Sequence, residues 1–494
     1  MKKKNVIGAL LCAGLIAATS LSVSAETSYY TYTYDYWEEE QASPNAYEVS
    51  GVFVGTDFGI GNFKNPQGLF SFENQLYICD TDNNRIVVLR RADEGFELDY
   101  VIDSFPHDGE TDTFSKPYDC FVKEDGRLYV CDYGNNRIVI LDQEDDNNCI
   151  QVVDNPEDET IDEGFKFAAE KMVVDDTGRM YVLVESVNKG FMAFDPDGTF
   201  TGYIGANKVT YTVWQKFWKS VATEAQKDQM ENFVPTEYNN IALSDDGFFM
   251  ATTSTFEDWE LKSNDVYPIR KLNAMGTDIL IRNGYTQPMG DLVYGSAAGY
   301  NGASRFVDVT TMENDTYYLL DKTRCRIFAY DSQGNLLYAF GGPGNKEGYF
   351  QYPSALVQNN TDLFVLDYSA GTLTMLSTTD YGRLINKAID EYQVGDYDAS
   401  ADTWSEVLKY NGNYALAYIG IGRSLLRQDD YKGAMHYFKL AYDFDNYSKA
   451  FKLYRKEWIE KNVGYIFVGL VVILVIPFTV VTIKKMRKEV EDIE

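Results

Sequence analysis

The stretch that decides the fold occurs twice: residues 74–89 read NQLYICDTDNNRIVVL, and residues 126–141 read GRLYVCDYGNNRIVIL. In each copy alternating apolar residues (Leu76 and Ile78; Leu128 and Val130) lead into an Asp-x-x-Asn-Asn-Arg turn and then a second apolar run. Asn and Asp tolerate the left-handed backbone of a tight turn and hydrogen-bond their own main chain, so each copy reads as a β-hairpin. The copies start fifty-two positions apart (126 against 74). Repeats of roughly 40–50 residues filled with short strands are the mark of β-propeller blades.

Working outward, six segments align as blades. They open near Pro66-Gln67-Gly68, Lys116-Pro117-Tyr118, Ala168-Ala169-Glu170, Pro235-Thr236-Glu237, Ser304-Arg305-Phe306 and Tyr352-Pro353-Ser354. The sixth lacks an outer strand after Leu376, while a strand-like run near Val49–Val54 precedes the first blade and has no partner. Joining the two closes the ring and removes two sheet edges that would otherwise template aggregation. The propeller is therefore assigned to residues 47–380. Residues 26–46 (ETSYYTYTYDYWEEEQASPNA) are expected to be a flexible, Tyr/Glu-rich lead-in.

The combination of Pro-x-Gly, LYVCD, DYGNNRI and FGGPGNKEGYFQYP resembles NHL-repeat propellers, whose blades end in a Gly-rich turn before the next Pro-led strand. The resemblance implies an all-β, six-bladed fold over roughly residues 50–378 and no particular activity, because propellers host many functions.

After Tyr381 the strand pattern stops and helical spacing begins. Leu384, Ala388, Tyr392, Tyr397, Ser400, Trp404 and Val407 align at thirty-four residues (418 against 384) with Tyr418, Gly422, Leu426, Tyr431, Ala434, Phe438 and Ala441. Small residues at a close crossing and an aromatic knob in the second helix resemble tetratricopeptide repeats, which places a small all-α domain, with a capping helix, at 381–462. Residues 463–483 carry no charge and suffice to cross about 30 Å of hydrocarbon as a helix. Lys484, Lys485, Arg487 and Lys488 open a tail, 484–494, assigned to the cytoplasm. Residues 1–25 have a basic start, an apolar run and a small-residue site at Val23-Ser24-Ala25, and so read as a secretory signal peptide. Residues 26–462 would then face outside a bacterial cell.

Composition narrows the function. A formal charge of −31 argues against nucleic acid, which needs basic patches to neutralise phosphate. Six cysteines without CxxC spacing, and two histidines in the whole chain, argue against a zinc site, and no metal or cofactor is expected. A ligand site is expected at the mouth of the central channel, where Gln67, Asp119, Glu170, Lys171, Glu237, Asn239 and Arg305 would converge on a polar molecule such as a sugar. In the insertion 207–234, Trp214, Phe217 and Trp218 recur at helical spacing and, with Trp259, are candidates for partner contact. Arg85 and Arg137 are expected to bridge neighbouring blades.

No catalytic set stands out. The expected function is a membrane-anchored, outward-facing binding or scaffold protein that touches the bilayer through one helix. Its partner would be a membrane complex, such as a transporter, or an extracellular protein. The alternative is a metal-dependent lactonase resembling the six-bladed gluconolactonase-like enzymes, with Glu237, Asn239 and Asp119 pressed into service as metal ligands.

Overall fold

A computed structural model describes residues 30–92, 95–161, 164–205, 237–263, 266–284, 286–291 and 302–492. The expected leader and the insertion 207–234, with Trp214, Phe217 and Trp218, lie outside the described residues. The chain forms two compact units, one running to Thr379 apart from Asp35–Glu39, the other combining Asp35–Glu39 with the chain from Asp380 on.

The first unit is a six-bladed β-propeller. Blade one pairs Gly68–Phe72, Gln75–Asp80, Arg85–Arg91 and Phe96–Ile102; blade two pairs Pro117–Val122, Arg127–Asp132, Arg137–Asp142 and Asn148–Val153. Blade three runs from Ala169–Val174 to Phe200–Ile204, and blade four has three strands among the described residues, starting with Asn240–Leu243. Blades five and six start with Phe306–Thr311 and Pro353–Asn359. The inner strand of blade four thus begins a few residues later than its sequence signal at Pro235-Thr236-Glu237; the other five begin where expected.

The duplicated motif explains how a blade packs on both faces. Leu76 and Ile78 turn toward blade six, where they meet Phe364 and Leu366. Tyr77 and Cys79, one residue out of phase, join Cys120, Leu128 and Val130 of blade two. A strand covered on both sides carries apolar side chains at both phases. Cys79 and Cys131 are fully buried small side chains in equivalent places, and burial pushes both thiols up.

The turn after the second strand is held by its aspartate. Asp80 Oδ1 accepts from the backbone N–H of Lys64 at 2.7 Å, and Asp132 Oδ1 from that of Ser115 at 2.7 Å. Asp321 does the same for Arg305, and Asp367 for Gln351 and Tyr352. Each aspartate therefore fastens the hairpin turn to the segment feeding the blade's own inner strand. The turn ends in the left-handed region at Asn84 (φ 55°), Asn136 (φ 54°), Cys325 (φ 52°) and Gly371 (φ 63°).

The expected blade-to-blade role of the arginines is corrected. Arg85 Nε pairs with Asp80 of its own turn at 2.7 Å and Nη1 donates to the Ile60 carbonyl at 2.9 Å. Arg137 pairs with Asp132 and with Asp112, which precedes its blade, both at 2.8 Å. The hydrogen bonds of both forks go to the clamp aspartate and the incoming loop, with Arg85 Nη2 buried and unbonded, and none reaches another blade. Smaller groups cross instead: Thr81 Oγ1 donates to the Pro117 carbonyl at 2.9 Å, and Asn84 Oδ1 accepts from the Lys116 N–H at 2.9 Å.

Ring closure follows the expected course. Tyr47–Val54 is the outer strand of blade six, antiparallel to Thr372–Thr378 from Tyr47↔Thr378 to Val54↔Thr372. The lead-in departs from expectation. Thr31–Tyr34 and Glu40–Ala42 form a hairpin that extends blade five to six strands. Its anchor is Asp291, which accepts from Tyr32 Oη (2.5 Å) and Tyr34 Oη (3.1 Å) and pairs with Arg324 and Arg326 at 2.9 Å each, all nearly solvent-free. Aromatic hydroxyls with a buried acceptor order a segment that composition alone reads as loose.

The second unit is helical: α1 (Asp380–Gln393), α2 (Tyr397–Tyr410), α3 (Ala415–Arg427), α4 (Tyr431–Leu440) and α5 (Phe444–Glu491). Each packs on the next. Asp396 and Asp430 cap α2 and α4 by accepting from Ala399 N and Gly433 N. A Cβ at Gly422 would sit 2.7 Å from the Phe438 ring, which is why glycine faces the aromatic knob there. Helix α5 is apolar and long enough to cross a membrane by length and composition.

The turn geometry yields a stability test. Asn136→Ala places a Cβ-constrained residue at φ 54° and should cost about 1–2 kcal/mol, whereas Asn136→Gly should cost less. Urea midpoints of the purified chain measure both; equal losses would mean that backbone handedness is not what selects asparagine.

Candidate functional site

Near the axis four of the six inner strands start irregularly. In blades two, three, five and six the register slips by one residue at the first pair, between Pro117 and Asp119, Ala169 and Lys171, Phe306 and Asp308, and Pro353 and Ala355. The extra residue of such a bulge re-aims its side chain. Two levels result: Tyr118 and Glu170 stand at the bulges, while the next residues, Asp119, Lys171 and Asp308, are buried.

The lower level is a closed polar plug. Lys171 Nζ lies 3.2 Å from Asp119 Oδ1, and Asp119 Oδ2 accepts from Met172 N at 3.2 Å. Asp308 Oδ2 accepts from Leu356 N at 2.7 Å, and its other oxygen accepts from the Asn240 amide. Blade one contributes Gly68 at this level, where a Cβ would lie 2.6 Å from the Tyr118 carbonyl, and blade six contributes Ala355. Burial alone would lower the Lys171 ammonium, but Asp119 and then Asp308 outweigh it and hold it well above the ordinary lysine range. Burial pushes the Asp308 carboxyl up, opposed by Lys171.

The upper level is open. Its second set of side chains comes just after the second strand of a blade and comprises Tyr133, Glu185, Lys322 and Tyr368, while Thr81 and Thr253 at the same position are buried. Tyr118 and Tyr133 pack with ring centroids 5.2 Å apart, and Tyr352 and Tyr368 at 5.7 Å. Tyr133 Oη donates to Glu185 Oε2 at 2.8 Å, which with burial holds the phenol up at about 12. Glu170 is half-buried; burial first and the Glu185 charge second raise its carboxyl, against the pull of Lys171. Burial first and the Glu170 charge second push the Tyr118 phenol up, against Lys171, with Glu185 and Tyr368 adding to the rise. Groups from blades two, three and six thus lie within electrostatic reach of Tyr118, and blade one supplies the half-buried Gln67 at the matching position.

Of the seven residues expected at the mouth, Glu170 stands there with its carboxyl half-buried. Asp119 and Lys171 are sealed in the plug. Gln67 donates to Asn65 Oδ1 at 2.6 Å. Asn239 spends its amide on the Phe306 carbonyl (2.7 Å) and accepts from Thr252 Oγ1 (2.8 Å), and so ties blade four to blade five. Arg305 pairs with Asp258 at 3.0 Å and lies 3.9 Å over the Phe256 ring. Glu237 is exposed on the loop before blade four, its carbonyl accepting from Thr253 Oγ1 at 2.6 Å. Trp259, on the short helix Asp258–Ser263, is 63% exposed. Asp119 and Asn239, two of the three ligands of the metal alternative, have these other bonds, and among the described residues no three His, Cys, Asp or Glu side chains gather as metal ligands.

Sequence reasoning missed Tyr118, Tyr133, Tyr352, Tyr368 and Glu185. The signal was present: the Asp-Tyr pairs 132–133 and 367–368 place tyrosine directly after the clamp aspartate.

No protein-family model and no curated protein matches the chain. Among solved structures it is similar to virginiamycin B lyase from Staphylococcus aureus, at 10% identity over 67% of this chain and 100% of that one, with a TM-score of 0.38. It is also similar to proteins of unknown function from Bacteroides thetaiotaomicron VPI-5482 (13%, 64% and 70%, TM-score 0.39) and Bacteroides caccae (10%, 59% and 85%, TM-score 0.33). Likeness at this level carries nothing about the site.

The plug makes its own prediction. Lys171→Met leaves Asp119 and Asp308 buried without a cation and should destabilise the propeller by about 3–5 kcal/mol. Adding Asp119→Leu to that variant should recover part of the loss. Denaturant unfolding of the three proteins decides it, and a single variant as stable as the parent would contradict a closed, charged plug.

Proposed function

We propose that the chain is a membrane-anchored, outward-facing binding protein whose propeller mouth takes a polar ligand such as a sugar, and whose helical unit, with its likeness to tetratricopeptide repeats, contacts protein. The NHL-like repeat pattern and the apolar α5 support the scaffold and its anchor. The observation that carries the reading is the mouth itself: two tyrosine pairs, exposed enough to stack on a ring, beside two carboxyls able to accept hydroxyl hydrogen bonds. The described buried charges are tied into pairs and clamps, so binding without transformation fits better than catalysis. A membrane complex such as a transporter is the partner this arrangement suits.

Binding of a neutral oligosaccharide panel to the full chain in detergent, read by calorimetry, tests the mouth. Tyr118→Ala and Tyr368→Ala should each weaken binding roughly tenfold, or about 1.4 kcal/mol; affinities unchanged by both place the ligand elsewhere. The pH dependence has a defined sign. The Glu170 carboxyl is raised above the ordinary glutamate range, so lowering the pH neutralises this acceptor sooner than an exposed glutamate. Binding should weaken through that window, and Glu170→Gln should flatten the profile.

A further inference from the structure

Helix α5 leaves the bundle with an aromatic stripe that is exposed at Phe451 and Trp458 and half-buried at Tyr447 and Tyr454. Ala450 is buried, whereas Phe451 is 44% and Trp458 49% exposed. Tyr447, Phe451, Tyr454 and Trp458 are spaced by four, three and four residues, and the Tyr447 and Phe451 rings stack at 6.4 Å. That spacing puts all four on one side of the helix. Lys452, Arg455 and Lys456 point elsewhere.

Depth decides what covers the stripe. If the hydrocarbon begins near Val463, Phe451 lies twelve residues above it (463 − 451), about 18 Å at about 1.5 Å per residue, and Tyr447 about 24 Å. The headgroup layer is only roughly 5–8 Å thick on each side. Interfacial lipid accounts for Trp458 and leaves the exposed ring of Phe451, and the uncovered part of Tyr447, beyond its reach.

The same four-three step continues without a break. It passes through Lys461 and Tyr465, takes in Val468, Val472 and Val475, and reaches Thr479 and Thr482. All three hydroxyl side chains of the apolar run, Tyr465, Thr479 and Thr482, fall on the seam, and Pro477 falls on the opposite side. A strict 3.5-residue period drifts by about 20° per heptad on a straight helix, and keeping it is useful to a helix that supercoils around another. Lys461, the charged seam position, is paired with Glu457 of its own helix, so two copies side by side stay neutral there.

From these observations we infer that α5 pairs in parallel with α5 of a second copy of this chain, along a seam running from Tyr447 to Thr482. Two copies cross the bilayer at the same residue and in the same direction, so each aromatic, valine and threonine meets its twin at equal height. In the membrane the threonine hydroxyls donate to carbonyls of their own helix, Thr479 to Val475 and Ile476 and Thr482 to Phe478, so their small β-branched side chains and those of the valines are free to pack closely. The inference rests on the anchored reading for the depth of each residue; it does not depend on the propeller mouth.

Single cysteines at seam positions (Phe451→Cys, Tyr454→Cys, Trp458→Cys) and outward positions (Lys452→Cys, Lys456→Cys) in the full chain, oxidised in native membranes with copper phenanthroline, test it. The native thiols of the described residues are buried. Seam variants should yield a species of twice the chain mass at least fivefold more than outward variants. Equal yields around the helix, no product at the seam, or a product of another mass overturns it. Fractionating the same cells tests the anchor separately, because a soluble chain would sink the membrane reading whatever the crosslinks say. Phe451→Glu with Trp458→Glu should convert the solubilised protein from dimer to monomer by mass photometry, and a persistent dimer counts against the seam.

Discussion

A sheet edge in water recruits other strands, and the propeller answers that constraint by pairing Tyr47–Val54 with Thr372–Thr378. The pairing brings the start and the end of the propeller into one blade, so every inter-blade core depends on it. Phe53 packs against the cluster joining blades six and one. The chain is fastened at the same place on leaving the propeller: Thr379 donates from its amide to the Ala46 carbonyl at 3.0 Å.

Inside the ring, one-residue slips at the inner strands separate charges that stand side by side in sequence. Glu170 and Lys171 are neighbours, yet one is half-buried at the mouth and the other is buried between carboxylates. A residue that alternates face along a strand changes dielectric as well as direction. Asp119 and Lys171 compensate one another, and the backbone N–H of Met172 satisfies the remaining oxygen. The pair serves as a structural bolt between blades two and three, while recognition is left to side chains above it.

The sequence made the wheel legible because its strands, clamp turns and glycine turns are local signals repeated at a regular spacing. The inner strands of five blades and the closing strand follow from hydrophobic runs and turn residues alone. The lead-in was not legible, because Tyr32 and Tyr34 are ordered by Asp291, more than 250 positions away (291 − 34 = 257), and a tyrosine's hydroxyl does not announce its partner. The channel mouth was half legible. The inner-strand starts were located, but which residue points up and which points in depends on a bulge, and no composition rule reports a bulge. Arg85 and Arg137 were placed at the right turns with the wrong partners, since a five-donor fork satisfies whichever acceptors the loops bring nearest.

The blades also separate what the architecture needs from what it leaves free. The clamp aspartate recurs as Asp80, Asp132, Asp321 and Asp367, each accepting the same kind of backbone hydrogen at the start of its blade. The residue just beyond it is Thr81, Tyr133, Lys322 or Tyr368 in those blades, with no shared size or charge. A position that is constant from blade to blade answers to the repeated backbone geometry. One that varies at the rim of the axis is released from that duty, and its side chains can be matched to a single asymmetric ligand. The tyrosines lie on the two blades flanking blade one, which has Gln67 at the matching strand start, Gly68 in the plug and a buried Thr81 after its clamp. At the plug level Gly68 puts no side chain between the two tyrosine-bearing blades, because the Tyr118 carbonyl leaves no room for one.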